Sequence, residues 1–302
     1  MSARHELTQH KLGPGARLAL FAPASPFDVE GFELGVARLR RRYEVLYQPE
    51  ILTRSGYLAG DDGRRLGELR RALQDASVAA VIAARGGYGC TRFLQLIAAE
   101  EVHACQKLLV GFSDLTALHA LWAQAGVGSI HGNMVAGLGR CSELQFARYC
   151  AALEGCFTEC FEGLTPIVDG VAEGVLLGGN LAVLSALIGT AAFPPLEGAV
   201  LFLEDVTERP YRIDRMLTTW RNAGAFRGVR GVVLGGFTQC DPGPDGVTVE
   251  QVLRERLSDL GIPVAAGLPA GHVDDNHELP FGRAVTLDAG RGRLYLHVRS
   301  AT

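Results

Sequence analysis

Short apolar runs alternate with amphipathic segments over the first 124 residues, and this alternation restricts the fold more than any other feature. Strands are predicted at residues 17–22, 43–47, 78–84 and 108–112, and helices at residues 29–42, 66–73, 92–99 and directly after the last of these strands. Strands that alternate with helices in this way predict a mostly parallel sheet covered by helices on both faces.

A stretch rich in Gly, Thr, Glu and Pro, residues 157–173, interrupts the pattern, and we interpret it as a crossing between domains. Beyond it, helices are predicted at residues 182–187, 213–220 and 252–260, strands at residues 200–203 and 232–234, and a closing hairpin at residues 284–298. We therefore expect an α/β fold. A doubly wound, mostly parallel N-terminal domain is predicted over residues 1–160, and a smaller C-terminal α/β domain with a mixed sheet over residues 161–302.

Composition and charge argue against several classes of protein. The 302 residues carry a net charge of −4, so nothing suggests nucleic acid or an anionic membrane as a partner. No apolar stretch reaches the roughly 18 residues of a spanning helix, and the N-terminus lacks the apolar core of a secretory signal. Seven scattered cysteines without a Cys-x-x-Cys pair indicate reduced thiols. We expect a cytoplasmic protein.

Ser113 follows the apolar run 108–112 and precedes a helical pattern. A hydroxyl at a sharp strand-to-helix turn is lifted clear of the sheet, beside the first free N–H groups of the helix, which is a suitable position for a nucleophile. The same position suits a serine that only caps the helix. Both interpretations remain open for this residue taken alone.

A glycine-rich segment, residues 84–89, follows the strand predicted at residues 78–84. Glycine at positions 86, 87 and 89 lets backbone N–H groups approach a ligand, as an oxyanion hole or a phosphate cradle requires. A plain tight turn would use the same residues. The segment matches neither the dinucleotide-binding pattern G-x-G-x-x-G nor the P-loop.

Glu204 ends the apolar run 200–203. A carboxylate at the end of a buried strand is costly unless it is paired, so we expect a cationic or imidazole partner. The competing interpretation is a structural salt bridge with one of the arginines that follow closely, Arg209, Arg212 and Arg215.

His272 lies in a loop that follows another apolar run, residues 263–266. A histidine beyond the end of a strand is well placed to act as a general base. Two other interpretations compete: a surface histidine without a role, and a metal site built with Asp274 or Asp275 and His277.

Ser113, Glu204 and His272 together form a serine, a carboxylate and an imidazole, each just beyond a predicted strand. Such a set performs acyl transfer: the imidazole takes the serine proton and the carboxylate orients the imidazole. Their order along the chain is that of the α/β-hydrolases. The segment 111–115 lacks the second glycine of G-x-S-x-G, however, which disfavours that family.

Several linked motifs, in order along nearly the whole chain, resemble those of the LD-carboxypeptidases, a family that includes the immunity peptidases acting on microcin C-type peptide nucleotides. The matching segments are residues 21–26, Gly56-Tyr57-Leu58-Ala59-Gly60, residues 84–89, Gly111-Phe112-Ser113-Asp114, Gly178-Gly179-Asn180-Leu181, Leu203-Glu204-Asp205, and Gly271-His272 with Asn276.

This resemblance implies a serine peptidase in which Ser113 is the nucleophile, His272 the base and Glu204 the orienting acid. Members of the family remove the terminal D-alanine from a murein tetrapeptide during cell-wall recycling, without metal or cofactor. The resemblance also implies an N-terminal α/β domain bearing the serine, a smaller C-terminal domain bearing the Glu and His, and a homodimer.

The residues themselves suggest further roles. The amides of Gly87 and Asp114 are our choice of oxyanion donors, with Gly86 equally suitable. Arg85 is a candidate for gripping the substrate carboxylate because a guanidinium forks onto carboxylates. Gly86, Tyr88 and Asn180 are expected to line the substrate site, although Asn180 would equally serve buried backbone groups.

Three alternatives stay open. A peptidase of the same family could act on a microcin-like aminoacyl nucleotide, provided that an aromatic loop stacks on the base. The tryptophans Trp122 and Trp220 lie in helical patterns typical of core packing instead. The chain could also be a catalytically silent, two-lobed binding protein, or a nucleotide-dependent enzyme using the glycine segment.

Overall fold

The computed structural model describes residues 6–297. The chain divides into two compact units of similar length. The N-terminal unit comprises Thr8–Phe157 together with Glu278–Pro280. Among the described residues, the C-terminal unit comprises Thr158–His277 together with residues 6–7 and 281–297.

The N-terminal unit is built on a six-stranded sheet. Its strands are β1 (Arg17–Phe21), β2 (Glu44–Leu46), β3 (Ala80–Ala83), β4 (Leu108–Gly111), β5 (Ser129–His131) and β12 (Leu279–Phe281). They lie in the order β12-β5-β4-β3-β1-β2, and the pairings among β1 to β5 are all parallel. Every residue of β3 and β4 is buried, as expected for strands covered on both faces. The predicted parallel sheet is thus confirmed.

The helices of this unit pack apolar faces against the sheet. In α1 the carboxylate of Asp28 caps the first turn, and the buried face carries Phe32, Val36 and Leu39. The helices are α1 (Val29–Leu39), α2 (Asp62–Gln74), α3 (Cys90–Phe93), α4 (Ala99–Cys105), α5 (Thr116–Gln124), α6 (Val135–Leu138) and α7 (Glu143–Leu153). Short 3₁₀ turns occupy Pro49–Leu52, Leu94–Leu96 and Ser113–Leu115.

The prediction of a single helix over residues 92–99 is wrong. The structure has α3, a 3₁₀ turn and then α4, which begins at the point where the predicted helix was to end. Ile97 and Ala98 are both extended, and the Glu101 side chain accepts a hydrogen bond from the Ala98 N–H to start a new helix. This local cap stabilises a new helix start, so the chain does not continue as one helix.

The C-terminal unit is built on an eight-stranded sheet. Its strands are β6 (Cys160–Phe161), β7 (Thr165–Val168), β8 (Val171–Asn180), β9 (Ala199–Val206), β10 (Gly231–Thr238), β11 (Val264–Ala266), β13 (Ala284–Asp288) and β14 (Arg293–Leu296). They lie in the order β6-β14-β13-β8-β9-β10-β11-β7. The central strands β8 to β11 are parallel and the outer pairings are antiparallel, so the predicted mixed sheet is confirmed. Its helices are α8 (Leu181–Leu187), α9 (Pro210–Asn222) and α10 (Val249–Leu257).

Residues 157–173, interpreted from sequence as a crossing between domains, begin at the boundary between the two units and contribute β6, β7 and the start of β8. The first two strands are the outermost of the sheet, and the residues of β7 are exposed or half-buried. An edge strand with a solvated face tolerates Pro and needs no apolar run, so its sequence carries little strand signal.

Several other sequence expectations, in both units, agree with the structure. The closing hairpin is formed by β13 and β14, although its predicted last residue, Val298, lies outside the described residues. Trp122 and Trp220 are fully buried core residues. All seven cysteines are free thiols. Every helix among residues 6–297 is too short or too polar to cross a bilayer.

Candidate active site

Ser113 lies in the sharp turn between β4 and α5 and adopts a left-handed backbone conformation, with φ +64°. For a residue with a Cβ this conformation costs about 1–2 kcal/mol. Such strain persists where the surrounding structure imposes it, commonly at functional sites. Neither the 3₁₀ turn nor α5 has a side-chain cap, so the interpretation of Ser113 as only a capping residue is wrong.

The glycine segment that follows β3 packs against the serine. A Cβ on Gly86 would lie 3.0 Å from Ser113 Cβ and 3.1 Å from Ser113 Oγ, so only glycine fits without displacing the hydroxyl. Gly87 has φ +108°, and a Cβ there would lie 2.4 Å from Ser25 Oγ. The Ser25 hydroxyl in turn accepts a hydrogen bond from the Tyr88 N–H at 3.2 Å. Gly86 thus lets the backbone of the segment approach the candidate nucleophile, and Gly87 lets it pack against Ser25.

The backbone amides of Gly87 and Asp114 are the candidate oxyanion donors. Among the hydrogen bonds of the described residues, none uses the N–H of Gly87 or of Asp114 as a donor. The Asp114 side chain is buried and accepts the Cys90 N–H at 2.8 Å, and this burial raises the pKa of the carboxyl. Asp114 therefore ties the serine turn to the end of the glycine segment.

Glu204 and His272 form a hydrogen-bonded pair in the C-terminal unit. Glu204 is fully buried at the carboxyl end of β9. Its Oε2 accepts the His272 Nδ1–H at 2.6 Å and the His272 backbone N–H at 3.1 Å. The carboxylate holds the tautomer that is protonated at Nδ1, which makes Nε2 the basic nitrogen.

The partner of Glu204 is thus an imidazole and not one of the arginines close in sequence. Arg212 instead lies 3.5 Å from Glu208. The metal interpretation of the His272 loop also finds no support, because no group of three His, Cys, Asp or Glu side chains among residues 6–297 is arranged to hold a metal ion.

The loop that carries His272 is held by neighbouring polar groups. Asn276 Oδ1 accepts the Gly271 N–H at 2.9 Å, and the Thr238 hydroxyl donates to the His272 carbonyl at 2.5 Å. Gly271 has φ +104°, and a Cβ there would lie 2.7 Å from Glu204 Oε2. The imidazole therefore has little freedom to leave the carboxylate.

The remaining predicted site residues divide into exposed and structural ones. Arg85 is exposed and donates to the Pro26 carbonyl at 2.6 Å. Tyr88 is 46% exposed, with its ring centroid 6.0 Å from that of Tyr57. Both residues are accessible to a substrate.

Asn180 is buried and caps α8, where its Oδ1 accepts the Val183 N–H at 3.1 Å. Its amide donates to Asp205 Oδ1 at 3.0 Å, and burial raises the pKa of Asp205 to about 6. These contacts are of the kind expected for a residue that satisfies buried groups.

Arg65 is a residue that sequence reasoning missed. It is fully buried on α2 and its guanidinium donates to the carbonyls of Pro23 and Gly89, with the Gly89 contact at 2.8 Å. It thereby fixes the far end of the glycine segment. The signal was present, since Arg65 lies beside Leu66 and Leu69 on the apolar face of an amphipathic helix, where an unpaired arginine is not stable.

Comparison with known proteins identifies the family. Residues 18–132 match the model of the LD-carboxypeptidase N-terminal domain, and residues 173–287 match that of the LD-carboxypeptidase C-terminal domain. A putative carboxypeptidase of Streptomyces coelicolor is 40% identical over 95% of this chain and 94% of its own length.

Solved structures agree with these matches. A muramoyltetrapeptide carboxypeptidase from Oxalobacter formigenes superposes with a TM-score of 0.81 at 30% identity, covering 93% of this chain and 97% of that one. A MccF-like protein from Bacillus anthracis superposes with a TM-score of 0.83 at 22% identity, covering 97% and 100%, which shows a shared fold. With both domain models matched and a relative at 40% identity, the chain belongs to the LD-carboxypeptidase family.

Proposed function

We propose that this protein is a serine carboxypeptidase that releases terminal D-alanine from murein tetrapeptide by hydrolysing the L,D peptide bond. The observation that carries the proposal is the short hydrogen bond from His272 Nδ1 to the fully buried Glu204, in a chain of the LD-carboxypeptidase family. The strained turn at Ser113 supports it, because it presents a serine hydroxyl of the type that this chemistry requires.

In this mechanism Ser113 Oγ attacks the carbonyl carbon of the L-centre while His272 Nε2 accepts the hydroxyl proton. The tetrahedral intermediate collapses when the imidazolium gives that proton to the amine of D-alanine, which leaves as the first product. Water, deprotonated by the same nitrogen, then attacks the acyl ester and frees Ser113. Glu204 stabilises the imidazolium in both halves of the reaction.

The amides of Gly87 and Asp114 are the proposed oxyanion donors, because neither serves the fold as a donor among the described residues. Loss of one such donor costs about 2.7–4 kcal/mol of transition-state stabilisation. Arg85 and Tyr88, both exposed, are the proposed contacts of the substrate beside Gly86. We propose that Asn180 supports the site through its hydrogen bonds with Val183 and Asp205. The enzyme is further proposed to be a cytoplasmic homodimer that uses no metal or cofactor.

A panel of tetrapeptides tests the substrate assignment. With L-Ala-γ-D-Glu-meso-diaminopimelate-D-Ala, mass spectrometry of the products is expected to show free D-alanine and the corresponding tripeptide. A matched peptide ending in L-alanine is the control and should remain intact. Cleavage of only D,D bonds across the panel would overturn the assignment.

One second candidate follows from the family resemblance of the sequence, hydrolysis of an aminoacyl nucleotide, and it requires an aromatic side chain that stacks on the base. Both tryptophans of this chain are buried in the core, so neither stacks on a nucleobase. We therefore expect no cleavage of a peptidyl or aminoacyl adenylate analogue under conditions that release D-alanine from the tetrapeptide. Labelling of Ser113 by a fluorophosphonate would also argue against a catalytically silent binding protein.

Gly271→Ala is expected to lower kcat for D-alanine release by about 100-fold, since a methyl group 2.7 Å from Glu204 Oε2 displaces the imidazole from the carboxylate. Steady-state kinetics, with the unfolding temperature measured in parallel, check this expectation.

Gly267→Ala is the matched control. Gly267 lies in the same loop with φ +96°, but a Cβ there meets nothing within 4 Å. It reproduces the backbone strain without the collision and should keep kcat within a few-fold of wild type. Equal losses in the two variants would assign the effect to backbone strain instead of to the Glu204–His272 pair.

A further inference from the structure

The carbonyl of Gly111, two residues before Ser113, accepts two hydrogen bonds. One comes from the Gly132 N–H at 3.1 Å, on the chain that leaves the neighbouring strand β5. The other joins it to His119 Nε2 at 2.8 Å. The last peptide of β4 is therefore held from two sides at the point where the chain turns toward the nucleophile.

His119 is 3% exposed and lies on α5, six residues after Ser113. A carbonyl oxygen only accepts hydrogen bonds, so Nε2 carries the proton, and Nδ1 accepts from the Ser129 hydroxyl at 2.7 Å. Burial lowers the pKa of His119 to about 4, which keeps the ring neutral in this tautomer near neutral pH.

The ring of His119 thus spans the turn that contains Ser113. It reaches from the helix that follows the serine to the end of the strand that precedes it. A serine at φ +64° needs such restraint, because without it the backbone would relax toward an unstrained conformation and move Oγ. Among the described residues, no other side chain donates to the Gly111 carbonyl.

We propose that His119 is a positioning residue of the reaction: its Nε2–H holds the Gly111 carbonyl and thereby keeps Ser113 in its reactive conformation. The proposal rests on Ser113 being the nucleophile. His119 is buried and both of its ring nitrogens bond to groups of the fold, so its effect is expected on the chemical step and not on substrate binding.

Three variants of His119 separate this role from general core packing. Glutamine places an amide N–H near the position of Nε2, whereas asparagine reaches only the position of Nδ1 and leucine offers no donor. We expect His119→Leu and His119→Asn to lower kcat by about 100-fold with KM within two-fold, as a misplacement of about 1 Å would. His119→Gln should restore kcat to within a few-fold of wild type.

Ser129→Ala is the control for stability. It removes the buried hydrogen bond between the Ser129 hydroxyl and Nδ1, so it should lower the unfolding temperature while kcat stays within a few-fold of wild type. The rate of Ser113 labelling by a fluorophosphonate is measured in parallel and should follow kcat across all four variants.

Wild-type kcat in folded His119→Leu, failure of folded His119→Gln to restore activity, or an equal loss in Ser129→Ala would each overturn the proposal. If the wild-type protein labels at Ser113 but releases no D-alanine, the substrate assignment is wrong and the labelling rates still decide the role of His119. If Ser113 does not label at all, the assignment of Ser113 as nucleophile and the assignment of His119 as its positioning residue are both wrong.

Discussion

Ser113→Ala is expected to abolish release of D-alanine, with kcat lower by roughly 10⁴- to 10⁶-fold, the range typical for loss of a catalytic serine. Only the hydroxyl is removed, and that hydroxyl does not cap the helix, so the free energy of unfolding should stay close to wild type. Single-turnover kinetics together with denaturant unfolding check both parts.

The strain at this position gives a sharper form of the same experiment. Ser113→Gly should be as inactive as the alanine variant but more stable than it by about 1 kcal/mol, because glycine adopts φ +64° without penalty. Equal stabilities of the two variants would show that the turn is not strained.

Cys90→Ala serves as the control for chemistry. Cys90 is a buried thiol whose backbone N–H contacts Asp114, and burial raises its pKa well above the ordinary value, so it is a poor nucleophile. Activity should survive this substitution. Loss of activity in Cys90→Ala together with an active Ser113→Ala would show that the nucleophile is Cys90 and not Ser113.

Glu204→Gln is expected to have the second largest effect, a fall in kcat of roughly 10⁴-fold, as seen when a neutral amide replaces the acid of such a triad. The amide no longer stabilises the imidazolium that forms on His272. KM should change little, since Glu204 is fully buried and bonds to His272. The rate of acylation, measured by pre-steady-state kinetics, reports directly on the step that this substitution is expected to slow.

Asp205→Asn is the matched control, because Asp205 is the next residue on β9 and is also buried. Its oxygens accept from the Asn180 amide and from the Ala182 N–H, not from His272. This variant should lose stability but keep kcat within a few-fold. A similar fall in kcat for both carboxylates would mean that Glu204 acts only through the packing of the strand end.

Much of the architecture follows from local pattern. Runs such as Leu108–Gly111 are apolar on every residue because both faces of the strand are covered, and this pattern marks central parallel strands clearly. Polar residues at the ends of such runs, Ser113 and Glu204, were therefore recognisable as site candidates. Edge strands and helix breaks carry a weaker signal, which is why β7 and the interruption at Ile97 were not predicted.

The sequence alone therefore determined the order of strands and helices, and the places where a carboxylate or a serine follows a buried strand. It could not decide between the partners of Glu204, since arginines follow within a few residues while His272 is 68 positions away. Likewise, no local pattern shows that Ser113 is left-handed or that His119 holds Gly111. Those outcomes depend on contacts between segments distant in the chain, which form only when the sheets assemble and bury them.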